Sequence, residues 1–246
     1  MKKYILLLLL PAMIISCKKN KQEEQQEVTD KVKTVTAASG SIYTYSYDAQ
    51  GKVTRIDITN GGYTEYAYGA NLVTENIYTA SGSVDDIVEY HLDAAGLIDL
   101  IITTGPFPEG PYDYTFNSMK QVESIAYRDG IGGPVLQSDH YYYTGQVLDS
   151  ILSKDQLNNV TRRELREYYT DIDNTITTKH KGQAYYGVQS PKALKKRTII
   201  FYSGSGNILN TQIGNFTYET DAEGRITREV MTSNTTAAAD NRYTYY

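Results

Sequence analysis

From residue 31 to the C-terminus, apolar and polar residues alternate at a period of two, the signature of strands with one buried face. The fullest copy sets Tyr43, Tyr45 and Tyr47 against Thr44 and Ser46. It then turns at Asp48-Ala49-Gln50-Gly51 and resumes with Val53, Ile56 and Ile58. The turn Asp-Ala-x-Gly occurs at 48–51, 93–96 and 221–224. Asp at its first position can accept a backbone N–H two residues on, and Gly at the fourth takes the left-handed conformation that completes a bulged hairpin. Weaker copies of the same aromatic, turn, aliphatic order occupy 66–77, 112–125, 141–152, 168–176 and 201–209, which makes eight hairpins.

The ends of the repeat region predict its closure. It opens on a lone aliphatic strand at 31–36 and finishes on a lone aromatic strand at 242–246. Paired, these would complete one unit and remove the free edges of the sheet. The expected fold is all-β: an antiparallel up-and-down meander of about eight hairpin repeats, closed as a barrel of 16–18 strands. Each repeat buries its apolar face only against its neighbours, so 31–246 is expected to be one domain.

Three segments break the rhythm. Residues 103–111 hold three prolines, each lacking a ladder donor, and 128–138 are Gly-rich. The longest, 179–197, carries Tyr185 and Tyr186 with Lys179, Lys181, Lys192, Lys195, Lys196 and Arg197. Long connections are where binding residues gather. Tyr185, Tyr186, Lys192, Lys195 and Lys196 are therefore the candidate ligand residues, suited to an anionic group on a glycan or lipid head. The competing reading, a solvated connector, is the favoured one. Tyr residues elsewhere recur at one phase of nearly every unit, which favours cross-strand packing over ligand stacking.

The N-terminus adds an address. Lys2 and Lys3 precede the apolar stretches Ile5–Leu10 and Met13–Ile15, too short to span a bilayer, and Ile14-Ile15-Ser16-Cys17 fits a lipobox. Cys17 is the only cysteine, so no intrachain disulfide can form. The expected organisation is 1–17 signal peptide and lipobox, 18–30 a charged flexible tether, and 31–246 the β domain. Formal charge is −5, and −7 once Lys2 and Lys3 are removed, which gives nucleic-acid binding no support. With 24 Tyr, four Phe and no Trp, tyrosine must supply much of the packing.

Catalytic patterns are scarce. His91, His140 and His180 lie far apart, in no zinc-ligand spacing. Asp171-Ile172-Asp173-Asn174 lacks the central Gly and closing Glu of a calcium loop and is expected to form a variant hairpin turn. No nucleophile elbow, phosphate loop or dinucleotide fingerprint is present. The expectation is a non-enzymatic protein with no cofactor and no metal.

The hairpin units resemble the YD repeat of large secreted shells, Tyr-Asp-x-x-Gly-Arg-Leu. The nearest copy is Thr220-Asp221-Ala222-Glu223-Gly224-Arg225-Ile226, with Thr in place of Tyr. Size, leader and repeats together resemble a family of Bacteroidota lipoproteins with porin-like barrels. That resemblance implies cleavage behind Ser16 and acylation of Cys17. Lys18 and Lys19 favour the outer membrane, and Lys21-Gln22-Glu23-Glu24 is similar to acidic tags that direct lipoproteins to the cell surface. The function expected first is a lipid-anchored envelope binding module for a saccharide or other envelope ligand. The alternatives are a structural or partner-docking lipoprotein of an outer-membrane complex and a transmembrane β-barrel.

Overall fold

A computed structural model describes residues 30–105, 110–235 and 238–246. Cys17, with its lipid attachment, and tether residues 18–29 lie outside those residues. The described strands are β1 (Val32–Thr36), β2 (Ile42–Tyr47), β3 (Val53–Ile58), β4 (Tyr63–Tyr68), β5 (Leu72–Tyr78), β6 (Val84–Leu92), β7 (Ile98–Thr104) and β8 (Tyr112–Phe116). They continue with β9 (Val122–Arg128), β10 (Val135–Thr144), β11 (Val147–Asp155), β12 (Val160–Asp173), β13 (Lys192–Tyr202), β14 (Ile208–Thr220), β15 (Ile226–Ser233) and β16 (Ala239–Tyr245). Each pairs antiparallel with its chain neighbours. β1 pairs with β16, Thr34 opposite Thr244 and Val35 opposite Tyr243, so the meander is a closed sixteen-stranded barrel.

The turns that start this pattern work as their composition dictates. Asp48 Oδ1 accepts the N–H groups of Gln50 and Lys52, both at 2.9 Å, while Gly51, at φ +73°, donates to the Asp48 carbonyl at 3.0 Å. Asp93 and Asp221 repeat the arrangement. Asn117, with Lys120 at φ 60°, and Asp155, with Asn158 at φ 66°, reproduce it without glycine. Asn and Lys here tolerate the left-handed region because the turn is exposed and tightly bonded.

Even-numbered strands carry the inward tyrosines and odd-numbered strands supply aliphatic partners. Just after the turns, Val32, Val53, Val73, Ile98, Leu148, Ala193 and Ile226 form a buried belt around one end of the barrel. Tyr45, Tyr66, Tyr90 and Tyr243 fill the space beside it. Several lumenal Tyr hydroxyls end on backbone: Tyr47 donates to Val32 O at 2.6 Å, Tyr68 to Val53 O, Tyr218 to Leu194 O and Tyr245 to Ile226 O, each at 2.8 Å. Burying the ring while pairing the hydroxyl is what tyrosine does better than phenylalanine in a lumen of limited apolar depth.

The outward face is polar. Arg55 bridges Asp57 and Glu65 at 2.7 and 2.8 Å, and Arg228 bridges Glu219 and Asp240 at 2.7 and 2.8 Å. Tyr63 and Tyr78, outside, stack on each other at 4.4 Å with the Arg55 guanidinium over the Tyr63 ring. A membrane-spanning barrel needs an outward apolar band. Ion pairs in its place disfavour the transmembrane reading.

Three sequence expectations need correction. Residues 168–176 are not a hairpin: β12 continues to Asp173, and Asp171-Ile172-Asp173 is strand rather than turn. The chain extends there, and the reversal is spread over 174–191. The basic excursion begins earlier and ends sooner than 179–197, because Lys192–Arg197 belong to β13. The Gly-rich and Pro-rich excursions shrink to 129–134 and 105–111, the latter including 106–109 outside the described residues.

Candidate functional site

Residues 174–191 form a strap across the barrel end that bears the 48–51, 93–96 and 221–224 turns. Its seat is explained by bulges at this end of β1, β3, β11 and β15, each of which leaves a ladder N–H without a strand partner. The strap supplies the acceptors. Val32 N–H donates to His180 O at 3.0 Å, Val53 N–H to Gly182 O at 3.4 Å, Leu148 N–H to Ser190 Oγ at 2.9 Å and Ile226 N–H to Thr175 Oγ1 at 2.8 Å. Val188 N–H returns a bond to Lys120 O at 2.8 Å.

Two glycines let it lie that close. Gly182 (φ +74°) has Val53 N within 2.5 Å of where a Cβ would stand, and Gly187 (φ +81°) has Lys120 O at 2.5 Å. Between them a single 3₁₀ turn, Ala184–Tyr186, drives Tyr185 into the lumen, where its ring lies 5.4 Å from Tyr90 and 5.2 Å from Tyr186. Gln183 Nε2 donates to the Tyr66 hydroxyl at 3.3 Å. Glu75, facing inward from β5, accepts from Tyr66 at 2.8 Å and from Tyr90. Burial pushes the Lys181 ammonium below its ordinary range, opposed by Glu229.

Between strap and turns lies a cavity of about 950 Å³. Val73, Leu92, Leu97 and Tyr185 give it an apolar floor, and Lys31, Lys52, Lys120 and Lys179 give it cationic walls, with His180 beside them. Lys31 Nζ donates to Lys179 O at 2.8 Å, and Lys52 Nζ stands 5.0 Å from the Tyr68 ring centre. Asp173, the carboxylate among its lining residues, is already paired with Lys192 at 2.6 Å. His180 is pushed below its usual range first by burial, then by Lys179 and Lys31. A second cavity of about 430 Å³ lies on the lumenal side, and Asn174, Val188 and Gln189 border both.

The five sequence-predicted site residues do not converge. Tyr185 and Tyr186 are lumenal, whereas Lys192 pairs with Asp173, Lys196 pairs with Glu167 at 3.0 Å, and exposed Lys195 lies 5.8 Å from the Tyr169 ring centre. Sequence reasoning missed Lys31, Lys52 and Lys120, which come from three separate turns or strand ends.

An RHS repeat model matches residues 28–63, the stretch that holds β1 to β3. The fold resembles a porin-like protein from Bacteroides uniformis ATCC 8492, with a TM-score of 0.60 at 14% identity, covering 87% of this chain and 95% of that one. Weaker likenesses are TcdB2–TccC3 (TM-score 0.34, 15% identity, 83% of this chain and 14% of that one) and the N-terminal domain of effector protein SpvB from Salmonella typhimurium strain LT2 (0.29, 8%, 88% and 87%). No curated protein sequence matches the chain. The expected YD-type repeat and porin-like barrel are borne out. At these identities the likeness is one of fold and carries neither the leader nor an activity.

Proposed function

We propose that this chain is a non-enzymatic, lipid-anchored envelope module, held at the outer membrane through Cys17 and a tether of residues 18–30, whose strap-covered mouth binds an anionic envelope ligand such as an acidic saccharide. The observation that carries it is the lining of the mouth: four lysines over an apolar floor, in a protein of net charge −5. A cationic pocket on an acidic body concentrates anions locally while the body repels them elsewhere. The ligand's hydrocarbon or ring face would rest on Leu92, Leu97 and Tyr185, with its carboxylate or phosphate toward Lys52 and Lys120. Tyr186 shares the strap with Tyr185 but faces the inner cavity.

Titration calorimetry with oligogalacturonate tests this. Saturable binding is expected, weakened at least about 10-fold by Lys52→Glu with Lys120→Glu and unaffected by Lys195→Glu, an exposed lysine that lines neither cavity. Equal binding by both variants would refute the mouth as the site.

Partner docking is the second reading, and one feature favours it. At the opposite end, in or beside three alternate connections, Ile131, Leu157, Ile208 and Leu209 stand 63–75% exposed. Apolar side chains gathered on loop tips are the usual material of a protein interface.

A further inference from the structure

We propose that the inner cavity of about 430 Å³, behind the strap, is a binding site for an uncharged sugar ring. This does not rest on the mouth reading; a different observation carries it. Seven lumenal tyrosines, Tyr47, Tyr66, Tyr68, Tyr169, Tyr218, Tyr243 and Tyr245, finish their hydroxyls on a carbonyl or on Glu75 or Glu229. Tyr114, Tyr141 and Tyr143 line this cavity, and their hydroxyls make no hydrogen bond to any other described residue. Half-buried phenols that face a cavity in this way call for a hydrogen-bonding occupant.

The charges around the cavity decide the class of that occupant. Arg166 gives its Nε–H to Glu164 at 2.6 Å, so the pair is neutral. Glu229 accepts from Asn241 at 3.3 Å and Tyr243 at 3.4 Å and faces the field of Lys181. An ion entering here would find its counter-charges already matched. A pyranose would present C–H faces to the rings and hydroxyls at its rim to the three phenols, Gln189 and Asn174. The volume lies within the roughly 300–1,000 Å³ of ordinary small-molecule sites. Burial pushes Tyr141 and Tyr143 up to about 12, so both remain hydroxyl donors at physiological pH.

The test uses the full chain as the cell processes it. Glucose, galactose, mannose and N-acetylglucosamine are each titrated to about 10 mM, read by calorimetry and by tyrosine fluorescence. At least one should bind saturably. Tyr141→Phe and Tyr143→Phe keep the rings and the packing, and each should weaken that sugar about 3- to 10-fold, the worth of one hydrogen bond. Lys52→Glu with Lys120→Glu should leave it unchanged, which separates this site from the mouth. Absence of saturable binding for all four sugars would overturn the proposal and leave the cavity to water. So would binding indifferent to both Phe variants.

Discussion

Replacing Gly182 by alanine tests the seating of the strap. Two costs arise, and a control separates them. The first is the left-handed backbone at φ +74°, which costs any L-residue about 1–2 kcal/mol. Gly40→Ala carries the same cost, at φ +86°, with nothing within 4 Å of its Cβ. The second is contact: the new methyl would stand 2.5 Å from Val53 N and 2.9 Å from Gly51 O, both backbone of a bonded turn. The strap must lift, at an overpacking cost of about 1–3 kcal/mol. Gly182→Ala should therefore be less stable than Gly40→Ala by about 1–3 kcal/mol, a Tm difference of roughly 2–12 °C for a chain of this size. Urea unfolding followed by tyrosine fluorescence gives the free energies. Hydrogen exchange adds the location, because lifting the strap should speed exchange of the Val32, Val53 and Ile226 amides selectively. Equal destabilisation by the two variants, with no selective exchange, would refute the docking argument.

Other consequences follow from the turns and the buried phenols. Asp93→Ala removes the acceptor for Ala95 and Leu97 N–H at 2.8 and 2.9 Å and should cost about 1 kcal/mol in urea unfolding, with Asp93→Asn recovering most of it because Asn117 fills the same role. Tyr45 and Tyr245 are pushed from 10.0 up to about 12, and other lumenal tyrosines are raised too, with burial as the leading cause. A raised folded value contributes stability that is whole below pH 10 and is lost as pH climbs from 10 through about 12, because the unfolded chain ionises first. Phenolate absorbance of the buried tyrosines should therefore rise together with loss of the β spectrum across that window; ionisation of every tyrosine near pH 10 with the fold intact would contradict the burial.

Most of the barrel was legible in the chain because its information is local. Asp-x-x-Gly turns, period-two alternation and complementary terminal strands suffice to order and close a meander in which neighbours in sequence are neighbours in space. The strap was not legible, because residues 174–191 have no period and their bonding partners are N–H groups orphaned by bulges in β1, β3, β11 and β15. That also explains the misplaced site. Lys192, Lys195 and Lys196 are adjacent in sequence but line neither cavity, and two of them are paired, Lys192 to Asp173 at the mouth and Lys196 to Glu167. Lys31, Lys52, Lys120 and Lys179 are scattered in sequence and meet because every second connection of a closed meander returns to the same end. Tyr63 and Tyr78 show the converse: strand phase, and not residue type, decides which tyrosines are packed inside.

The most direct test of a barrel with tyrosines inside and ion pairs outside is the behaviour of residues 18–246 purified without detergent. Sedimentation and far-UV circular dichroism should show a monodisperse β-rich species. Aggregation that only detergent reverses into a β-rich form would contradict the account, because it would mean that the outward face seeks lipid rather than water.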